Sequence, residues 1–513
     1  MGMKVSWLQC IFISLLMLLP LSVALWRRVR PCSICRSYLT GSWTAEFDNL
    51  SDWYSSLLSK SPTLTIHNHL LRSIVTANPK NVEHILRTRF YNYPKGKAFS
   101  AVLHDLLGCG IFNVDGDRWL SQRKLASQGI GSARARAASF VVLRALVQDR
   151  LLPAVASAAC FPHGIDLQDL LRSFFFECIC RSYFGVSPQQ LELDQPAHVL
   201  ADAFDSASRI SACRGAAWAP FLWKAKRLLC VGSERDLQEA VGVVQRLADE
   251  IIRKRRALTQ ATTIGDLLAK FMSTTSDDRL LRDIVINFML AGRDTVASAL
   301  AAFFWLVSRH PHVELSILDE LQRVVTQPTT TNSTTTHEAT KETITTYVEA
   351  CKEEAGGLEY AQLKDLHYLQ AAICESLRLY PPVQFDSKRA VEDDKLPDGT
   401  FVRRGTRVTY HPYAMGRMES IWGADCHEFR PERWLKDGEF VAESPYKYPV
   451  FQAGRRVCLG KEIALMQMKC VAAAIFRKFT LQTEPSCNRL DFSPGLTSNI
   501  RGGLTVIVKP RPS

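Results

Sequence analysis

The stretch "FQAGRRVCLG", Phe451 to Gly460, sets one thiol, Cys458, between two glycines and two arginines. Fifteen cysteines occur in the chain, an odd number, scattered singly or in loose pairs such as Cys32/Cys35 and Cys178/Cys180. That distribution favours free thiols in a reducing compartment over a disulfide framework. Cys32-x-x-Cys35 lacks the second ligand pair that a zinc site needs. Four uses of Cys458 compete: nucleophile, disulfide partner, zinc ligand, and single axial ligand to a haem iron. A nucleophile needs a histidine base, which this stretch does not hold, so the base would have to come from elsewhere in the chain. A haem takes one thiolate, because the porphyrin fills the equatorial positions. That use also accounts for the neighbours: Gly454 and Gly460 let the backbone bend around the sulfur, peptide N–H groups hold its charge, and Arg456 pairs a haem propionate.

A second chemical pair is Asp294-Thr295, an acid beside an alcohol, inside the longest periodic apolar segment, Leu280 to His310. The segment predicts a helix about 46 Å long. Asp283, Asn287, Arg293 and Asp294 would make a membrane span costly, so it reads as a buried core helix. Packing alone gives no reason for an acid and an alcohol at its middle, and Gly292 permits close approach to the backbone.

The elements that must position these groups are mostly helical upstream. Downstream, "KLPDGTFVRRGTRVTYHPYA" holds Gly-bounded runs rich in Val, Thr and Tyr that read as short strands. The expected body is therefore mainly α with a small β region. Val5 to Trp26 is apolar and uncharged, long enough at roughly 33 Å to span a bilayer. Arg27, Arg28, Arg30 and Arg36 follow it while only Lys4 precedes, which places the large C-terminal body in the cytosol. A cleaved secretory peptide is the competing reading, since Ser22-Val23-Ala24 has small-x-small form. Thr326 to Thr346 is Thr-rich and cannot build a core, so it is expected to be a solvated surface loop. The net charge of +12 attracts an acidic partner. No long basic run with interleaved aromatics accompanies it, so nucleic acid is not the expected one.

"FQAGRRVCLG" resembles the haem-binding loop F-x-x-G-x-R-x-C-x-G of cytochrome P450 monooxygenases, with Phe451, Gly454, Arg456, Cys458 and Gly460 on the fixed positions. In the family's order it is joined by "WLSQR" (Trp119 to Arg123), "AGRDT" (Ala291 to Thr295), "ESLR" (Glu375 to Arg378) and "RPERW" (Arg430 to Trp434). The resemblance implies the cytochrome P450 fold behind one N-terminal transmembrane helix, with haem b held by Cys458. It makes Asp294 and Thr295 an acid–alcohol pair relaying protons to dioxygen. Trp119 and Arg123 would lie on a helix that donates to a propionate, and Glu375, Arg378 and Arg433 would form a buried network supporting the thiolate loop. Phe112, Phe288, Ala291, Val383, Phe385 and Leu496 would line the distal side of the haem.

Longer runs, among them "NYPKGKAFS", "GIFNVDGDRW" and "PPVQFDSKRA", resemble the plant ninety-fourth family, whose members oxidise the terminal carbon of fatty acids or of jasmonoyl-amino-acid conjugates. "PPVQFDSK" looks most like its C-type subgroup, associated with oxidation of the 12-hydroxylated hormone conjugate to the acid. A terminal C–H bond is stronger than internal ones, so regioselectivity needs a narrow channel and an anchored head group. Lys95, Lys97, Arg209 and Arg214 are candidate anchors for the substrate carboxylate. Electrons are expected from NADPH through NADPH-cytochrome P450 reductase, with Lys124, Arg455 and Lys461 as contacts for its acidic face. The resulting organisation is a membrane anchor at 1–26, a linker at 27–44, and a monooxygenase domain at 45–513 with its Thr-rich insert at 326–357, single-pass in the endoplasmic reticulum membrane. Two alternatives are a haem-thiolate lyase or synthase of lipid hydroperoxides, against which the Asp294-Thr295 pair argues, and a non-catalytic haem-binding protein.

Overall fold

The computed structural model describes residues 32–192, 196–258, 266–326, 358–484 and 488–512. The Val5–Trp26 segment and the insert beyond Thr326 lie outside these residues. The helices that bear on the site are α1 (Ser33–Thr40), α2 (Gly96–Leu107), α3 (Gly116–Ile130), α4 (Leu167–Tyr183), α5 (Ala197–Ala216), α6 (Pro220–Leu229), α7 (Ser233–Leu258), α8 (Asp278–Ser308), α9 (His367–Leu379) and α10 (Lys461–Lys478). The chain is mainly helical with small sheets, as the sequence predicts.

α8 is the expected core helix. Asp277 caps it, accepting from the backbone N–H of Arg279 at 2.9 Å and of Leu280 at 3.4 Å. Its apolar residues are buried almost all round, against α4, α7 and α9 among others. The polar residues that argued against a membrane span have partners in the body. Asp283 accepts from Cys109 N–H at 2.7 Å, and Asn287 donates to the Leu107 carbonyl at 2.9 Å and accepts from Phe112 N–H at 3.2 Å.

The main sheet joins β1 (Thr65–Asn68), β2 (Ser73–Thr76), β3 (Asp386–Arg389) and β4 (Arg407–Tyr410) in the order β1-β2-β4-β3. β2 and β4 run parallel, Ser73 opposite Arg407, while the outer pairs are antiparallel. One apolar core fills the helical part, and a second packs around this sheet. The stretch expected as a linker is part of the second body: α1 buries Cys35 completely, and its Sγ donates to Asn68 Oδ1 at 3.8 Å. From Ser33 onward the 27–44 segment is therefore packed helix and turn, not open link.

The loop that carries Cys458 spans the two cores. Ala453 is buried in the sheet cluster, while Phe451 packs against the helical one. Gly454 has φ +62°, and a Cβ built there would lie 2.2 Å from the Leu86 carbonyl oxygen. Gly454→Ala adds left-handed strain to a backbone clash and is expected to cost about 2 kcal/mol or more. A lower melting temperature with reduced haem content checks it; an unchanged melting temperature would show that the loop can shift away from Leu86.

Candidate active site

Cys458 lies at the end of a closed turn. Its N–H donates to the Phe451 carbonyl at 2.8 Å, and Val457 N–H donates to the Gly454 carbonyl at 3.2 Å. The thiol is accessible to solvent, although protein surrounds it closely enough that desolvation is the largest influence on its acidity and pushes it up. The backbone N–H groups of Gly460 and Lys461 and the charges of Arg123 and Lys461 pull the other way. An accessible thiol in a recess with donors turned toward it is arranged to hold a thiolate.

Around the loop stand cations. Arg123 of α3 donates to the Val457 carbonyl at 2.7 Å, which ties that helix directly to the thiol turn. Trp119, one turn earlier, is buried, with the Arg123 and Arg456 guanidinium carbons 5.6 and 4.5 Å from its ring centroid. Arg456 bonds Asp115 at 2.6 Å, and Asp115 also caps the start of α2 through Gly96 N–H at 2.8 Å. Arg456 Nε is buried and has no hydrogen-bond partner among the described residues. Beside it, Asp386 holds Lys388 at 2.5 Å and Lys95 at 2.6 Å and accepts from Tyr410 at 2.9 Å. Burial opposes the Asp386 charge, but the two lysines keep its carboxyl below the usual range; burial pushes the Lys388 ammonium down to about 7.

The sequence reading missed this Asp386 cluster. Its signal was present: Asp386 and Lys388 alternate along β3 and so share its inward face, where two charged residues need a reason. The cluster also corrects the list of carboxylate anchors. Lys95 is engaged by Asp386, and Arg214 is buried between Glu234 (Nε–Oε1, 3.0 Å) and Asp105 (2.7 Å), because a charge taken out of water needs a counter-charge. Lys97 and Arg209 are exposed and have no ion pair among the described residues.

In α8, Thr295 Oγ1 donates to the Ala291 carbonyl at 2.6 Å, and Asp294 is buried against Arg293 at 2.8 Å. Acid and alcohol are neighbours, but each is engaged elsewhere, so a relay requires both to turn. Hydrogen bonds at Ser498 tie together the segments that carry the lining candidates. Ser498 N–H donates to the Pro382 carbonyl at 2.8 Å, its Oγ donates to the Pro381 carbonyl at 3.1 Å, and Ser298 of α8 donates to the Ser498 carbonyl. These bonds draw the Phe288/Ala291 face of α8, the Val383–Phe385 run and the Leu496 turn together. Asn287 draws in Phe112. Phe288 is buried, while Phe112 and Phe385 keep 39% and 45% of their surface open.

Glu375 accepts from Arg378 at 2.7 and 2.8 Å, from Arg433 Nε at 2.8 Å, from Arg430 N–H at 3.0 Å and from Trp434 Nε1 at 2.9 Å. The network is buried, and none of its hydrogen bonds given above goes to the thiol turn. It binds α9 to the segment that leads into the thiol loop.

A sequence profile of the cytochrome P450 family matches residues 43–504. Cytochrome P450 94C1 of Arabidopsis thaliana is 51% identical over 486 residues, covering 94% of this chain and 93% of the relative. The chain belongs to the cytochrome P450 family, in its family 94. Cytochrome P450 94B1 of the same plant is 43% identical, covering 90% of this chain and 88% of the relative. Cytochrome P450 94A2 of Vicia sativa is 41% identical, covering 92% and 89%. The protein is a P450 monooxygenase of haem-thiolate type, with a redox partner and a small-molecule substrate. The residues present fit the haem: one accessible thiol among backbone donors, and an orphaned buried guanidinium N–H beside further cations, where a carboxylated ring would be met. When bound, the haem supplies dioxygen activation, its thiolate ligand donating the electron density that favours O–O cleavage.

Proposed function

We propose that this P450 oxidises the terminal carbon of a carboxylated lipid, 12-hydroxy-jasmonoyl-isoleucine to its 12-carboxy form, with ω-hydroxylation of fatty acids as the related activity. In this reading Cys458 holds the haem and Arg123 and Arg456 its propionate edge. Asp294 and Thr295 carry protons to dioxygen, and electrons come from NADPH through NADPH-cytochrome P450 reductase at Lys124, Arg455 and Lys461. The observation that carries it is the convergence at Ser498. One main-chain bond and two serine hydroxyls join the three segments there, which leaves Phe288, Ala291, Val383, Phe385 and Leu496 to offer an apolar lining for a hydrocarbon chain. Turnover with NADPH and reductase on a fatty acid and on 12-hydroxy-jasmonoyl-isoleucine, side by side, is expected to give terminally oxidised products. No product from either would overturn the substrate assignment.

The anchor for the carboxylate is assigned to Lys97 or Arg209. Arg209→Gln or Lys97→Gln is expected to raise KM for the carboxylate about three- to tenfold, the order of one partly exposed ion pair, and to leave the methyl ester unchanged. Equal effects on acid and ester in both variants would remove both residues from the role.

The same reading places the protein on the endoplasmic reticulum membrane by its 1–26 segment, with the catalytic body in the cytosol. Supporting it, Tyr38 Oη donates to the Ala216 carbonyl at 2.6 Å, so the chain leaving the anchor lies against the end of α5. Immediately beyond, Trp218, Phe221, Leu222, Leu228, Leu229 and Val231 are exposed, interleaved with Lys224, Lys226 and Arg227.

A further inference from the structure

Five charges of alternating sign run across three helices beside the candidate relay. Asp294 of α8 is bonded by Arg293 Nη1 at 2.8 Å. The same Nη1 stands 3.8 Å from Asp205 Oδ1 of α5, and Asp205 Oδ2 accepts from Arg172 of α4 at 3.0 Å. Arg172 in turn is 3.8 Å from Asp169, which faces solvent. Asp205 Oδ1 is itself buried and has no hydrogen-bond partner among the described residues. Desolvation raises the Asp205 carboxyl, while Arg172 and Arg293 lower it and Asp294 and Asp169 add to the rise.

An acceptor without a partner, aimed at a guanidinium that is already engaged, is half of an exchange. Arg293 is buried, and a buried guanidinium cannot be left without a counter-charge. If Asp294 is to turn toward Thr295 with a proton, Arg293 must pass to another carboxylate, and a shift of about 1 Å brings it within bonding distance of Asp205 Oδ1. We propose that Asp205 is a positioning residue that takes the Arg293 guanidinium as Asp294 is released, so that proton delivery depends on how α5 is seated. No proton passes through the guanidinium, and only hydrogen bonds change. One turn further along α5, Ser208 Oγ accepts from Leu496 N–H at 3.0 Å, at the lining turn. Substrate that moves that turn therefore moves the exchange partner. The proposal rests on the reading of Asp294 as a proton carrier.

Two measurements separate the parts. In thermal unfolding, Asp205→Asn and Asp294→Asn each leave Arg293 one carboxylate, while the double variant strands it. The loss of melting temperature in the double variant is expected to exceed the sum of the single losses, and additive losses would overturn the exchange. In reductase-driven turnover, Asp205→Asn is expected to lower product formed per NADPH about fivefold, with hydrogen peroxide rising and a larger solvent isotope effect, at unchanged haem content and substrate-induced Soret shift. Asp205→Glu is expected to restore the ratio. An unchanged ratio in Asp205→Asn would overturn the positioning role. If Asp294→Asn left both ratio and isotope effect unchanged, the relay reading itself would fail and the positioning role with it, whatever the unfolding cycle showed.

Discussion

Cys458→Ser is expected to abolish the red-shifted Soret band that reduced protein shows with carbon monoxide, and with it all monooxygenase turnover, while leaving the fold in place. A serine hydroxyl remains protonated at neutral pH and brings neither the charge nor the soft sulfur that a haem-thiolate centre requires. The turn survives because neither of its bonds uses the sulfur: Cys458 N–H donates to the Phe451 carbonyl, and the Arg123 guanidinium donates to the Val457 carbonyl. The melting temperature of the haem-free protein should stay within the scatter expected of a conservative change, about 0.5 kcal/mol. A retained red-shifted band would require a different thiolate, and among the described residues Cys32, Cys109, Cys160, Cys213 and Cys230, all at least partly accessible, would then be the ones to test.

What could be read from the sequence was what lies contiguous in it. The thiol turn, the acid–alcohol pair and the Glu375–Arg378 step are each within a few residues, so spacing alone brought them together. α8 was legible from its period, down to the polar residues that face protein and not lipid. What could not be read was pairing at long separation. Asp115 with Arg456, Asp386 with Lys95 and Asp205 with Arg293 are 341, 291 and 88 residues apart, and nothing local in either partner names the other. The same limit made Lys95 and Arg214 look available when tertiary packing had already given each a carboxylate. The Thr295 back-bond to Ala291 is local, four residues apart on one helix, and its presence makes its release part of any relay.

Glu375→Gln is expected to cost about 3–5 kcal/mol, a large fraction of the net stability of any domain, and to do so without touching the thiol. Glu375 and Arg378 are both fully buried. One glutamate oxygen accepts from Arg378 Nη2, Arg433 Nε and Arg430 N–H, the other from Arg378 Nε and Trp434 Nε1. A glutamine amide must turn its NH2 toward one of these sets, so at least two donors meet a donor, and two guanidiniums lose the negative charge between them. Arg378 cannot leave. It donates to the carbonyls of Gly416, Cys426 and Glu428, and a Cβ at Gly416 would sit 2.1 Å from its own carbonyl oxygen. The defect should therefore appear as lowered melting temperature and loss of haem from the purified protein together, in contrast to the serine variant at Cys458, which loses its spectrum on a stable fold. A Glu375→Gln protein with native melting temperature and haem content would mean that the network is held by packing of Trp422 and Trp434 around it and not by its charges.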